Sequence, residues 1–421
     1  MGFIFAGIFQ TSAKGRSPEG LVLNYRSLRR VFVAAAAVAA LVIPLQAAPS
    51  RAAEPFEINV IVSLTGPFAF IGQAEAASVR AIETIVNKSG GIKGQQIKMV
   101  IQDDASNPAT AVQIASGIIA KKPNVMLGPT YLASCLAVQP LVTANNGPVT
   151  YCFAPTLHPA AGSFLFSGGS SSNDQAKAQM TFLEAKGWKN AVLIASTDAT
   201  GQDTEGRWVD EYNSGKYPGL KLLDREHFAP NDTSVAAQVA KMKSFNPDVI
   251  IDATVGTSTA TVLRALKDAG LDDLPVMSSL GNVIHAQMDQ YTAILPKEIY
   301  FVAPGFISRD ITPKGPVRDA QQLFYKAFNA QGIDPDVGNS QSWDPTLVII
   351  DALKHVGTNA SSKQVLDYIE SLKHFPGSDG YYDYTDGSQR GIGLDAIVVC
   401  RWDPAKKTWV ASSEPGGKPL K

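Results

Sequence analysis

From Glu57 onward the chain keeps switching between two hydrophobic periods, and no other feature constrains its fold as tightly. Ile58, Val60, Val62 and Leu64 lie two apart, the spacing of a strand, and Thr65–Pro67 ends the run. Residues 74–86 follow with Val79, Ile82, Ile85 and Val86 on one helical face. A second strand at 97–101, a helix opened by Asn107 as cap with Pro108 behind it, a third strand at 124–128 and a helix over 133–145 continue the series. It ends at 149–153. The same alternation restarts near Asn173: helix 174–186, strand 191–195, helix 202–214, strand 220–228, a helix capped by Asp232, strand 248–251, helix 258–269 and a short strand at 275–277. Alternating strands and helices build parallel sheets covered on both faces. Two series in succession predict an α/β protein of two doubly wound three-layer lobes.

After about residue 298 the rhythm changes to a strand at 299–303, helices near 316–331, 344–356 and 362–372, and a last strand at 396–400. Those helices need a sheet to cover, and the first lobe supplies it. The expected division is residues 53–173 plus about 304–375 for lobe 1, about 174–303 plus 376–410 for lobe 2, and 411–421 as a tail. The chain then crosses between lobes more than once. Ligands of open α/β sheets bind beyond the carboxyl ends of the strands, which for two facing lobes is the cleft between them.

Residues 1–52 read as an N-terminal extension and export signal. Arg26, Arg29 and Arg30 precede the apolar run 31–43, and small residues follow, with cleavage expected near Ala52–Ala53. The run is shorter than the roughly 20 residues that span a bilayer. Export to the periplasm follows as the expected location. A net charge of −1 without basic runs removes the electrostatic footprint of nucleic-acid binding. Cys135, Cys152 and Cys400 make no disulfide framework; a 135–152 bridge is open to an oxidising compartment, and buried free thiols are the expected state.

The chain offers no catalytic set. Gly-x-Ser-x-Gly, His-Glu-x-x-His and the phosphate-binding lysine loop are absent, and the five histidines have no ligand-like spacing, so neither metal nor cofactor is expected. Gly391–Ala396 matches a dinucleotide fingerprint in letters but lacks its strand–helix context. Asp103 and Asp104 are expected to cap or flank the next helix rather than act as acid and base.

Several short signatures in order, Ser63–Pro67, Gly90–Gly94, Asp103–Asp104, Gly128–Pro129 with Ala137–Pro140, and Trp343–Asp344, carry a resemblance. From about Ile58 to Trp402 the chain resembles the periplasmic solute-binding proteins of branched-chain amino acid ABC transporters. The resemblance implies a type I periplasmic binding fold with a three-stranded hinge. It also implies two lobes closing on one small molecule, delivery to a membrane permease, no enzymatic activity and a monomer. A sensor component that reports its ligand elsewhere is the alternative outside transport.

The resemblance also assigns positions. Where amino-acid binders place a serine after the glycine matching Gly128, this chain has Leu132, with Ser134 two further on; Thr130, Tyr131 and Ala133 share that loop and helix start. The next loop aligns Phe153, Ala154 and Thr156 with the groups that hold the ligand's carboxylate and ammonium. The family's pocket tyrosines fall on Ile71, Thr200, Val255 and Trp343, and the acid that pairs with an ammonium falls on Leu280. A buried ammonium without an acid costs several kcal/mol. The expected ligand is therefore a hydrophobic, favourably aromatic, carboxylic acid lacking an α-ammonium, held by hydroxyls and by the amides at a helix start. A branched-chain or other hydrophobic amino acid is the alternative.

Overall fold

The computed structural model describes residues 54–420, so the expected export signal and cleavage site lie outside the described residues. The first series is β1 (Phe56–Val62), α1 (Ala69–Lys88), β2 (Ile97–Asp103), α2 (Pro108–Ile119), β3 (Val125–Leu127), α3 (Leu132–Ala144), β4 (Val149–Cys152) and β5 (Leu165–Ser167). Their five strands form one parallel sheet in the order β2-β1-β3-β4-β5. The helix starts follow local chemistry: Asn107 accepts the amides of Ala109 and Thr110, with Pro108 at the first helical position.

The second series is α4 (Ser172–Lys186), β6 (Asn190–Ser196), α5 (Ala199–Asn213), β7 (Lys221–Phe228), α6 (Ala236–Ser244), β8 (Val249–Ala253), α7 (Thr257–Asp268), β9 (Val276–Ser278), α8 (His285–Tyr291) and β10 (Ile299–Pro304). Asp232 does not cap α6: its carboxylate turns back to the Ala229 amide, and α6 begins after Val235 without a side-chain cap. After β10 come α9 (Pro316–Asn329), α10 (Val337–Val356), α11 (Ser362–Ser371), a ribbon of β11 (Phe375–Pro376) with β12 (Tyr381–Tyr382), and then β13 (Ile397–Asp403) and β14 (Thr408–Ala411). The second sheet runs β14-β13-β10-β9-β8-β6-β7, with β13 antiparallel to both β10 and β14 and every other pair parallel.

Three chain crossings join the two halves: between β5 and α4, between β10 and α9, and into β13. The reason is visible in the cores. Phe324, Phe328, Trp343, Ile349, Leu353, Val365 and Ile369 from α9, α10 and α11 bury against Ile58, Val60 and Tyr151 of the first sheet. Each large apolar side chain so buried contributes about 1.5–3 kcal/mol, which draws these late helices back across the sequence. Tyr382, Tyr384, Ile392 and Ala396 also join that first core, and the chain enters the second sheet at Ile397. Helix α10 begins at Val337, ahead of the expected 344, because Asp336 and Asn339 form a reciprocal capping box; Pro345 sits inside the helix.

Candidate functional site

The cleft is built from loops that leave the carboxyl ends of strands in both halves. On the first side β3 ends at Leu127 and Gly128 follows at φ +81°, where a Cβ would lie 1.9 Å from the Ile61 carbonyl oxygen. Only glycine fits that turn. It delivers Thr130, Tyr131 and Leu132 to the cleft, joined by Phe68 and Ile71 at the start of α1, by Ala154, Pro155 and Thr156 after β4, and by Gln341 of α10. The Tyr131 ring stacks on Phe68 with centroids 4.4 Å apart, and its hydroxyl donates to the Ser106 carbonyl. The facing side presents Thr200 and Thr204 of α5, Val255 after β8, Ser279, Leu280 and Gly281 after β9, and Gln175 of α4.

Nine of the residues singled out in the sequence therefore line one cavity: Ile71, Thr130, Tyr131, Leu132, Ala154, Thr156, Thr200, Val255 and Leu280. Four do not. Trp343 points away from the cleft into the first core, its ring 5.3 Å from Phe324 and 5.6 Å from Phe328. Phe153 is fully buried in the same core. Ser134 turns its hydroxyl back onto Asp104, and Ala133, half-buried beside it, is outside the lining. Sequence reasoning left out Gln175, Thr204, Ser279, Gly281 and Gln341. Thr204 was reachable, since it stands one helical turn from Thr200.

No charged side chain is among the residues lining this cavity, whose space is 40 Å³, the room of about two to four waters. Polar recognition falls to neutral groups. No side chain caps α3, so the amides at its start, from Leu132 on, have no intrahelical acceptors. The hydroxyls of Thr130, Thr156, Thr200 and Ser279 and the amides of Gln175 and Gln341 complete the set.

Buried polar networks lie behind each wall. Behind the first, Asp104 accepts from Ser63 Oγ at 2.7 Å, Ser134 Oγ at 2.9 Å and the Ser106 amide at 3.0 Å, while Asp103 accepts from the amides of Leu64, Thr65 and Ala105. The adjacent acids staple loops instead of capping the next helix, whose cap is Asn107. Behind the second wall Asp252 accepts from the hydroxyls of Thr254 and Ser278; burial pushes its carboxyl up to about 6, with those hydroxyls pulling it back. Asn282 donates to the Thr254 carbonyl and fixes the loop that carries Leu280.

The first wall is also tied covalently. Cys135 near the start of α3 and Cys152 at the end of β4 form a disulfide, with Cα atoms 6.2 Å apart, in place of the expected free thiols. The β3–α3 turn lays the helix start beside the neighbouring strand end, a proximity that a separation of 17 residues does not reveal. Cys400 is a buried free thiol.

Across the cleft's edge, His158 Nε2 from the first half sits 2.9 Å from Asp203 Oδ1 of α5, and Ser172 Oγ bonds both. One imidazole nitrogen faces both partners, so the trio forms a clasp rather than the two-ended relay of a catalytic triad. Among the described residues no cluster of His, Cys, Asp and Glu could hold a metal ion, and no helix is long and apolar enough to cross a membrane.

A second, larger concavity lies along the crossings. Its 1160 Å³ is bordered by Asp174, Lys314, His374, Asp379, Asp383, Asp386, Arg390, Asp395 and Glu414 among others. Arg390, buried at its base, donates to the carbonyls of Gly169 and Leu157 and so binds the third crossing to the first. Asp344 of α10 accepts the amides of Ser378 and Asp379 and the hydroxyl of Tyr382, and burial pushes the carboxyls of Asp344 and Asp379 upward.

The periplasmic binding protein family matches residues 55–407. Leu/Ile/Val-binding protein homolog 3 of Brucella melitensis is 23% identical over 85% of this chain and 94% of its own. Among solved structures, a branched-chain amino acid transporter substrate-binding protein from Streptococcus pneumoniae, in complex with isoleucine, superposes with a TM-score of 0.70 at 19% identity, covering 87% of this chain and 98% of that one. A solute-binding protein from Rhodopseudomonas palustris in complex with benzoate superposes with a TM-score of 0.71 at 17% identity, covering 87% and 97%. With its two wound halves, its triple crossing and a match over most of its length, the chain belongs to the periplasmic binding protein family, in the type I fold shared by solute-binding proteins of branched-chain amino acid transporters, and is not an enzyme.

Proposed function

We propose that this protein is the extracytoplasmic solute-binding component of an ABC importer. It closes two lobes over a small hydrophobic carboxylate, an aromatic acid lacking an α-ammonium being the favoured ligand, and hands it to a membrane permease. It acts in the periplasm as a monomer, after removal of the signal near Ala52–Ala53. The lobes divide as read from the sequence at 53–173 with about 304–375 and at about 174–303, but residues 382–396, expected in the second lobe, pack into the first core, and the second lobe resumes only at Ile397.

One observation carries the ligand assignment: Leu280 lines the cavity, and no acidic side chain does. An ammonium there would give up its hydration for neutral acceptors alone. A carboxylate fares better, because the amides at the start of α3 favour an anion and hydroxyls surround it. Phe68, Tyr131, Leu132 and Val255 supply flat and apolar contact area. The benzoate complex of the Rhodopseudomonas palustris protein accords with this reading. The space is small, so entry of such a ligand requires the walls to part, as two halves joined by crossings allow.

A second reading keeps a branched-chain amino acid. Gln175 and Gln341 line the cavity and carry amide oxygens able to accept from an ammonium, and the Brucella and Streptococcus relatives favour it. A thermal-shift series with leucine, isoleucine, phenylalanine, benzoate, phenylpyruvate and a hydroxycinnamate separates the two. A ligand at a hundredfold its Kd adds about 2.7 kcal/mol of stability. Shifts with the aromatic acids alone support the proposal; shifts with leucine or isoleucine alone replace it with the second reading.

A further inference from the structure

Beneath the first wall lies a carboxyl group that neither the core nor the cavity lining explains. Glu75, on the face of α1 that meets α10, is completely buried. Its Oε2 lies 2.6 Å from Thr130 Oγ1, its Oε1 has no hydrogen-bond partner, and no cation is among the groups acting on it. Thr130 in turn accepts the Ser63 amide at 3.0 Å and forms part of the cavity wall.

This geometry leaves one proton with two possible places. If Glu75 is ionised, Thr130 gives its only proton down to Oε2 and has none for the cavity. If Glu75 carries the proton, the acid donates to Thr130, and the threonine's own proton is free to turn toward a ligand. We propose that Glu75 is a positioning residue for an anionic ligand: as the neutral acid it orients the Thr130 hydroxyl to donate to the ligand's carboxylate, so binding requires the proton beneath the cleft to stay in place. The inference rests on the carboxylate reading above and adds what makes the site accept that charge.

The surroundings favour the neutral acid. Burial without a counter-charge pushes the Glu75 carboxyl up to about 8; the Thr130 hydroxyl pulls it back and Asp104 adds to the rise. Of the other groups on the packed elements, Asp103 is turned to the loop amides and Thr65, and α10 presents Ser342, whose hydroxyl donates to the Glu75 carbonyl. An ionised Glu75 would set a second negative charge under the ligand's own, a repulsion that low-dielectric surroundings leave unscreened.

The test is calorimetric titration of the mature protein with benzoate across pH, a ligand that stays anionic throughout. For the wild type, affinity should hold level below neutrality and fall about tenfold between pH 7 and pH 9, as Glu75 loses its proton. Glu75→Gln, whose neutral amide supplies a donor to Thr130 and cannot ionise, should bind benzoate within a few-fold of wild type at neutrality and lose the pH slope. Thr130→Val, which leaves Glu75 in place, should bind about tenfold more weakly at neutrality and keep only the slope that charge repulsion from Glu75 supplies. Infrared difference spectra between wild type and Glu75→Gln, recorded without benzoate, should contain the carbonyl stretch of a protonated carboxylic acid. A level wild-type profile with firm benzoate binding, or no such band at neutrality, overturns the role of Glu75 and leaves the ligand reading standing. Absence of benzoate binding at every pH overturns both.

Discussion

The cleft between the strand ends and the concavity along the crossings differ in almost every respect that bears on binding. The cleft offers 40 Å³ and is lined by no charged side chain, whereas the concavity offers 1160 Å³ bordered by six carboxylates, including Asp383 and Asp386, together with basic groups. Size alone would pick the concavity; the lining chemistry favours the cleft. A broad charged hollow keeps its groups hydrated and gains little by exchanging water for a solute, while a narrow neutral cleft rewards apolar contact and makes each fixed dipole count. The proposed function assigns recognition to the small neutral space and mechanical connection to the large charged one.

The comparison can be broken from the cleft side first. Leu280→Asp places an unpaired charge in the wall and should weaken benzoate about a thousandfold, or about 4 kcal/mol, while favouring leucine over benzoate; calorimetry with both ligands reads the reversal. Replacing Cys135 and Cys152 together by serine should cost about 3 kcal/mol of stability in urea unfolding, since the bridge closes a loop of 17 residues. It should also weaken benzoate several-fold, because Leu132 and Ala154 flank the bridge. Arg390→Met sharpens the contrast from the other side. It leaves the carbonyls of Gly169 and Leu157 without their donor and should cost about 2 kcal/mol of stability, yet change the benzoate Kd by less than about twofold. Smallest of all, Asp383→Asn and Asp386→Asn, half-buried and exposed respectively on the border of the concavity, should stay within about 0.5 kcal/mol by thermal melting and leave affinity unaltered. A large loss of benzoate binding from either would reverse the roles assigned to the two hollows.

The alternation of strands and helices was legible because each period follows from which face is buried, and even the three-residue β3 and β9 stood out between turn signals. The three-residue β5 and the four-residue β14 were not, being too short to establish a period. The loops around Thr130, Thr200, Val255 and Leu280 were placed by resemblance and meet at one cavity. Trp343 was misread because the cap at Asp336 starts α10 early and, seven residues later, turns the indole toward Phe324 and Phe328. Glu75 could not be read at all: on an amphipathic helix a lone glutamate signals the wet face, and it is buried here by α10, 267 residues away at the Ser342 contact. The disulfide, likewise, is a fact of tertiary proximity.

The triple crossing also governs the order in which the molecule becomes itself. Ser78 bonds the Asn339 carbonyl, and Asn124 reaches Thr358 and Ala360 across more than 230 residues, so the first core cannot close until the last fifth of the chain has been made. The second sheet waits for β13, later still. Contacts so distant in sequence form slowly. A ribosome would therefore release the first sheet, with the small core that Ile61, Ala111, Val138 and Leu165 build on one side of it, long before the helices that cover its other side exist.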